Sequence, residues 1–118
     1  IQQQRSDGDA AFRAGALDDA YRCYTAALGA LRQHVLSTKG RGEQENVDVT
    51  EMLVGLKNGI MLIFLKLARR AEDKGLADVA ANSYRQAVVE AIEVLVVDPG
   101  NALAEQARNK AEMKLRHK

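Results

Sequence analysis

The sequence predicts an all-α fold of antiparallel helical hairpins, about five helices in all. The first observation is composition: of 118 residues, 47% are apolar and 28% are charged, and Pro99 is the only proline. Apolar residues recur at three- and four-residue intervals, which is the spacing of an amphipathic helix. The second observation is a repeated pattern of glycine, alanine, tyrosine and alanine at steps of five, four and three residues. It occurs at Gly15, Ala20, Tyr24 and Ala27, and again at Gly75, Ala80, Tyr84 and Ala87.

The first hairpin is predicted over residues 3–36. A helix over 3–14 is followed by Gly15, a residue that favours a tight turn. A second helix over 17–36 keeps its apolar residues on one face. The next segment, 37–47, is polar and contains two glycines, so it is predicted to be a loop.

The second hairpin is predicted over 48–97 and begins with a long helix. Asp48 and Glu51 have the spacing of a capping box, which predicts that this helix begins near Asp48. Apolar residues then keep helical spacing for about six turns, and Gly75 stands where glycine favours a helix end. Between Ile60 and Leu65 the helix is apolar almost all round, which predicts cover on both sides by neighbouring helices or, in part, by a partner.

The rest of the second hairpin is a fourth helix over 77–97, and a fifth helix is predicted over 102–116 after the turn 98–101. Asn101 is suited to cap the fifth helix, because its side chain accepts hydrogen bonds from the free amides of a helix start. A chain of 118 residues is long enough for one domain, so we expect a single domain over 1–118. The sequence begins at Ile1 rather than at methionine, and we expect it to be part of a larger protein.

Composition argues against several classes of partner. The chain has 17 basic and 16 acidic residues and a net charge of +1, which does not favour nucleic acid or an anionic membrane surface. The longest apolar run, 59–65, is far too short for membrane insertion. Cys23 is the only cysteine, so no internal disulfide can form, and we expect a reducing, cytoplasmic location.

No residue pattern predicts catalysis, a metal site or a cofactor. His34 and His117 are the only histidines, and neither has a cysteine or paired carboxylates at metal-ligand spacing. Nothing marks a general base for Cys23, which is expected to be a packing residue. Asp18 and Asp19 are expected to complement the positive end of a helix rather than form a catalytic pair. We therefore expect a protein without enzymatic activity.

The repeated hairpin, at 12–28 and 64–87, resembles the tetratricopeptide repeat (TPR), and 97–104 looks like the aspartate-proline junction between such repeats. The resemblance implies a right-handed superhelix of stacked hairpins whose concave groove binds a peptide or helix of a protein partner. Two features depart from the family. Gln4 and Asp7 stand where it has large apolar residues, and the repeat glycines are 60 residues apart instead of about 34. A similar lengthening between the first and second repeats is found in the immunophilin-type branch.

In the TPR family the first helices of successive repeats line the groove. The candidates here are Arg5, Asp9, Phe12, Arg13, Leu62, Leu65, Lys66, Arg69, Leu103, Gln106, Lys110 and Lys114. Basic residues outnumber acidic ones in this set, so the expected partner segment carries acidic residues and apolar anchors. A subset of the family clamps the C-terminal tails of chaperones with lysine and asparagine. Arg5, Asp9 and Lys66 stand at three of the clamp positions, so we do not expect chaperone-tail binding.

Two alternatives remain open. Residues 64–118 also resemble the microtubule-interacting-and-trafficking (MIT) domain, a three-helix bundle that binds amphipathic helices of membrane-remodelling filament proteins along its last helix. The other alternative is a structural segment in which the apolar third helix packs on a second copy, giving a homodimer. The TPR and MIT families share local helix packing, so the same residues of 64–118 fit both.

Overall fold

Five α-helices make up the computed structural model, which describes residues 2–37 and 43–116. They are α1 (Gln2–Arg13), α2 (Leu17–Ser37), α3 (Glu43–Asp73), α4 (Ala77–Val97) and α5 (Ala102–Arg116). No strand occurs in these two ranges. The predicted all-α class and its helical hairpins are therefore confirmed, while the superhelix remains a prediction.

The two hairpin turns have the same backbone structure. Gly15 and Gly75 have φ angles of 82° and 74°, a left-handed conformation that glycine adopts without a Cβ clash. After each glycine, the next amide donates to the carbonyl five residues earlier, which is the hydrogen bond of a Schellman helix end. These bonds are Ala16 N to Ala11 O at 2.9 Å and Leu76 N to Ala71 O at 2.8 Å. The repeated sequence pattern thus builds the same turn twice.

α3 is longer than the sequence predicts. It has 31 residues and begins at Glu43, five residues before Asp48, so the capping-box prediction was wrong. The glutamates and glutamine at 43–45 favour helix, and neither glycine nor proline follows Gly42 to interrupt it before Gly55. Of the predicted loop 37–47, Ser37 ends α2 and 43–47 belong to α3. Residues 38–42 lie outside the described part of the chain.

The chain divides within α3 into two compact units, Ile1–Leu56 and Lys57–Lys118. The predicted single domain therefore stays a prediction. In the first unit α1 packs on α2, and the Tyr24 ring covers Gly8 so closely that a Cβ there would lie 2.9 Å from Tyr24 Cε1. The Tyr24 hydroxyl donates to the Asp9 carboxylate on α1. The tyrosine therefore joins the two helices by both packing and a hydrogen bond.

In the second unit, small residues bring α3, α4 and α5 together. α4 packs on α5, and the buried cluster that joins the three helices is mostly alanine: Ala68, Ala71, Ala80, Tyr84, Ala87 and Ala111. Asn101 caps α5 as predicted, since its Oδ1 accepts a hydrogen bond from the Ala104 amide at 2.9 Å. Two short turns, after Asp73 and after Val97, reverse the chain twice, so α3 and α5 run in the same direction.

One face of the lengthened end of α4 is packed within this unit. Ala91 and Val94 are fully buried there. Lys57 of α3 reaches Glu90 and Glu93 of the same segment. The extra turns of α4 therefore have a packing role along α3.

Candidate partner-binding surface

The α3 candidates Leu62, Leu65, Lys66 and Arg69 share one face of the helix, since they are three or four residues apart. The two leucines are half-buried, and Lys66 and Arg69 are exposed. The opposite face is in the core, where Ile60, Met61 and Ile63 have exposed fractions of 2% or less. The stretch that is apolar all round in sequence thus has one buried and one accessible face.

The α5 candidates Leu103, Gln106, Lys110 and Lys114 are all exposed. The buried side of α5 consists instead of Ala104, Ala107 and Ala111. Leu103 keeps 41% of its surface accessible, which is high for a leucine. The four α5 candidates therefore include one apolar and two basic side chains outside the core.

An ion pair joins the ends of α3 and α5. Lys114 Nζ lies 3.4 Å from Glu72 Oε2, near the end of both helices. The two helices run in the same direction, so their remaining candidates follow this contact in the same order along both helices. The pairs Arg69 and Lys110, Leu65 and Gln106, and Leu62 and Leu103 are each 41 residues apart in the sequence.

We call the candidates on these two helices the α3–α5 face: Leu62, Leu65, Lys66, Arg69, Leu103, Gln106, Lys110 and Lys114. Its character changes along the helices. It is apolar at Leu62 and Leu103 and basic at Arg69 and Lys110, and it ends at the ion pair of Lys114. The candidates are therefore apolar toward one end of the two helices and basic toward the other.

Glu72 belongs to this surface, although the sequence did not predict it. It follows Arg69 by three residues on α3, so extending the candidate row by one turn finds it. Its Oε1 accepts a hydrogen bond from the Tyr84 hydroxyl at 2.5 Å, and its Oε2 faces Lys114. The Tyr84 bond, with Lys114 and Arg69 as further causes, lowers the pKa of Glu72 below its usual 4.5, against a smaller opposing effect of desolvation. Glu72 is therefore ionised at neutral pH.

Tyr84 is the neutral partner in this network. Burial, followed by the hydrogen bond to Glu72, raises its pKa to about 12. The phenol therefore keeps its proton at any physiological pH and remains a hydrogen-bond donor. It is 2% exposed, so it holds Glu72 from inside the helix bundle.

A cleft of about 460 Å³ opens beside the Glu72–Lys114 ion pair. Its apolar walls include Ala77, Ala81 and Leu115, and Asp78 adds a second carboxylate. A volume of this size is within the range of ligand pockets, about 300–1,000 Å³. The cleft thus lies next to Lys114, at the basic end of the α3–α5 face.

The α1 candidates lie in the first unit, and part of the set is used in packing there. Asp9 accepts the Tyr24 hydrogen bond, and burial together with this bond raises the pKa of Tyr24. The Arg5 guanidinium lies against Gly55, where an added Cβ would be 2.9 Å from Arg5 Nη2. Phe12 is half-buried and Arg13 is exposed. The prediction that α1 shares one groove with α3 and α5 stays a prediction.

The residues considered for chemistry are dispersed. Cys23 is half-buried and His34 is exposed, while His117 lies outside the described residues. Asp18 and Asp19 stand in the first turn of α2, where their charge complements the helix dipole. Within 2–37 and 43–116, no three histidine, cysteine, aspartate or glutamate side chains are grouped as metal ligands would be. In the same ranges, no helix is both long and apolar enough to cross a bilayer.

Comparison of the chain with family models, with curated proteins and with solved structures gives no match. The TPR and MIT resemblances therefore rest on the residues alone.

Proposed function

We propose that the chain is a non-catalytic protein-interaction module of a larger protein, and that the α3–α5 face binds a partner segment carrying apolar and acidic residues. The observation that supports the proposal is the exposure of the predicted residues. Six of the eight are exposed and the two α3 leucines are half-buried, and the Glu72–Lys114 ion pair joins the two helices that carry them. We place the module in the cytoplasm, because its one cysteine forms no internal disulfide.

The apolar end would supply most of the affinity. Burial of apolar surface is worth roughly 25 cal/mol per Å², whereas exposed ion pairs contribute about 1 kcal/mol or less. Leu62, Leu65 and Leu103 are thus the anchors, and Arg69 and Lys110 select the partner by charge. From Leu62 to Glu72 the face is about 15 Å long, which suits an extended segment of about five residues or about three turns of helix.

The first test is a comparison of two labelled eight-residue peptides by fluorescence anisotropy. Both carry the same two leucines, followed by three glutamates in one peptide and three lysines in the other. We expect the glutamate peptide to bind about tenfold more tightly at low salt, and the preference to shrink as salt screens the charges. Equal affinities, or tighter binding of the lysine peptide, would overturn the proposal.

Charge reversal locates the site. Lys66→Glu and Arg69→Glu together should lower the affinity for the glutamate peptide at least fivefold, because they place negative charge on the face. Arg85→Glu is the control for charge reversal outside the face, with half the charge change of the double variant, since Arg85 is exposed on α4. Loss of affinity in the control but not in the double variant would assign binding to another surface.

A second candidate is the MIT-like trafficking module, and the division of the chain favours it. The unit Lys57–Lys118 contains the second part of α3 with α4 and α5, which is the three-helix layout of that resemblance. Binding would then follow α5 alone. The substitutions Leu103→Ser and Lys110→Glu should lower the affinity for the partner whether binding uses the whole α3–α5 face or α5 alone. Lys66→Glu and Arg69→Glu should leave the affinity unchanged if α5 acts alone.

A further inference from the structure

Glu72 is an acidic side chain among the basic residues at the end of the α3–α5 face. Lys114 contacts it at 3.4 Å, and Arg69 is close enough to lower its pKa. The residue therefore occupies the place where an acidic side chain of a partner would be received.

We propose that Glu72 is an internal competitor for the partner's carboxylate, and that it sets how acidic a partner must be to bind. This inference rests on the proposed function, because the competing carboxylate belongs to the segment bound on the α3–α5 face. It identifies the Lys114 ammonium as the group for which Glu72 and the partner compete.

The ion pair is accessible enough to be exchanged. The Lys114 and Glu72 side chains are 47% and 37% exposed, so a carboxylate from solution can approach Nζ. By contrast, the Lys57 side chain is only 9% exposed between its two glutamates, so its ammonium is much less accessible to an outside group. The Glu72–Lys114 contact thus combines a weak, solvent-screened bond with direct access from the face.

Tyr84 keeps the competitor in place. Its hydroxyl holds Oε1 of Glu72, while Lys114 faces Oε2. A partner can take Lys114 without breaking the tyrosine bond, but the Glu72 charge then stays beside the bound carboxylate and repels it. The position does not require a carboxylate for the hairpin turn, since Phe12 stands at the corresponding place, 60 residues earlier, before Gly15.

The test uses N-acetylglutamate as a probe and the Lys114 side-chain NMR signals of the whole chain as the readout. Wild type, Glu72→Gln and Asp73→Asn are titrated at low salt. Glutamine is isosteric and still accepts the Tyr84 hydrogen bond, so Glu72→Gln should fold normally. Asp73→Asn removes the same charge from the neighbouring residue. Asp73 is exposed and is not part of the ion pair between Glu72 and Lys114.

We expect the half-saturating concentration of N-acetylglutamate at Lys114 to fall about two- to fivefold in Glu72→Gln, the range of an exposed ion pair. In Asp73→Asn the half-saturating concentration should change by less than half of the factor seen in Glu72→Gln. An unchanged value in Glu72→Gln, or an equal fall in both variants, would overturn the inference.

A second arm uses the glutamate peptide. Its affinity should rise two- to fivefold with Glu72→Gln, and this gain should vanish in a Lys114→Gln background, because no ammonium is left to compete for. A gain that persists without Lys114 would point to a general charge effect and contradict the inference. If the peptide binds no variant while N-acetylglutamate shows the expected shift, the proposed function fails and the competition at Lys114 stands.

Discussion

Lys57 and Glu90 form a largely buried ion pair, with the lysine Nζ 3.3 Å from Glu90 Oε2. Glu93, one turn further along α4, accepts a second bond at 3.1 Å. The lysine is 7% exposed although it lies in the long α3 helix between apolar residues. Its charge is balanced by two carboxylates that the lengthened part of α4 brings to it, so the ion pair and the extra turns of α4 belong together.

Lys57→Met should destabilise the chain. The substitution keeps the volume of the side chain but leaves the mostly buried Glu90 carboxylate without its cation, and breaking a fully buried pair costs about 3–5 kcal/mol. Because Glu93 is 48% exposed and can stay hydrated, we expect about 1–3 kcal/mol in the free energy of unfolding. Urea denaturation followed by circular dichroism measures it.

Lys74→Met is the matched control for this substitution. Lys74 is exposed beside the α3–α4 turn, and a surface change of this kind is usually within about 0.5 kcal/mol. Equal losses in the two variants would mean that the Lys57 ion pairs add nothing to stability.

Glu72 predicts a pH dependence of stability. Its pKa is lower in the folded chain than the ordinary 4.5, so the folded state favours the ionised form. The contribution is complete above 4.5 and is lost as the pH falls through the lower folded pKa. We expect wild type to lose stability more steeply below pH 4.5 than Glu72→Gln, which has no charge to titrate.

Chemical denaturation at a series of pH values from 7 to 3 tests this expectation. The difference between wild type and Glu72→Gln should be constant at neutral pH and narrow only in the acid range. Parallel curves throughout the acid range would show that the Tyr84 and Lys114 contacts do not favour ionised Glu72.

Much of the fold could be predicted from local sequence signals. The glycine turns, the Asn101 cap and the bounds of α4 and α5 all depend on residues within one or two helical turns. The α3 start was missed because a plausible capping box lay within a stretch that is itself a good helix former. Local signals compete at such a place, and the longer run of helical residues prevailed.

The site was predictable only in part, for a different reason. Helical spacing identifies which residues share a face, and it gave the accessible rows on α3 and α5. It does not say which charged side chains meet across helices. Lys114 and Glu72 are 42 residues apart, and Lys57 and Glu90 are 33 apart, so both ion pairs depend on how the helices pack.

Alanine at two glycines should have opposite effects. Gly75 has a φ of 74°, and no neighbouring atom lies within 4 Å of an added Cβ. Gly75→Ala should therefore lose stability only because alanine disfavours this backbone conformation. A left-handed residue other than glycine costs roughly 1–2 kcal/mol. Gly29 lies inside α2 with open space around it, and alanine there should add about 0.5–1 kcal/mol through helix propensity.

Thermal unfolding of the two single variants, with Gly75→Asn as a third, separates the causes. Asparagine tolerates the left-handed region better than alanine, so it should recover part of the loss. A Gly75→Ala variant as stable as wild type would contradict the assigned turn conformation, and a destabilising Gly29→Ala would contradict its open helical environment.

The oligomeric state decides between a free partner-binding surface and self-association. α4 carries an exposed apolar row of Val89, Ile92 and Val96, spaced so that all three lie on one face. A stable interface buries about 800 Å² per partner, which three partly exposed side chains do not reach. We therefore expect a monomer of 12.9 kDa by light scattering from low to high micromolar concentration. A mass that doubles over this range would favour the homodimer, and Val96→Ser, at the most exposed position of the row, should then restore the monomer if α4 is the contact.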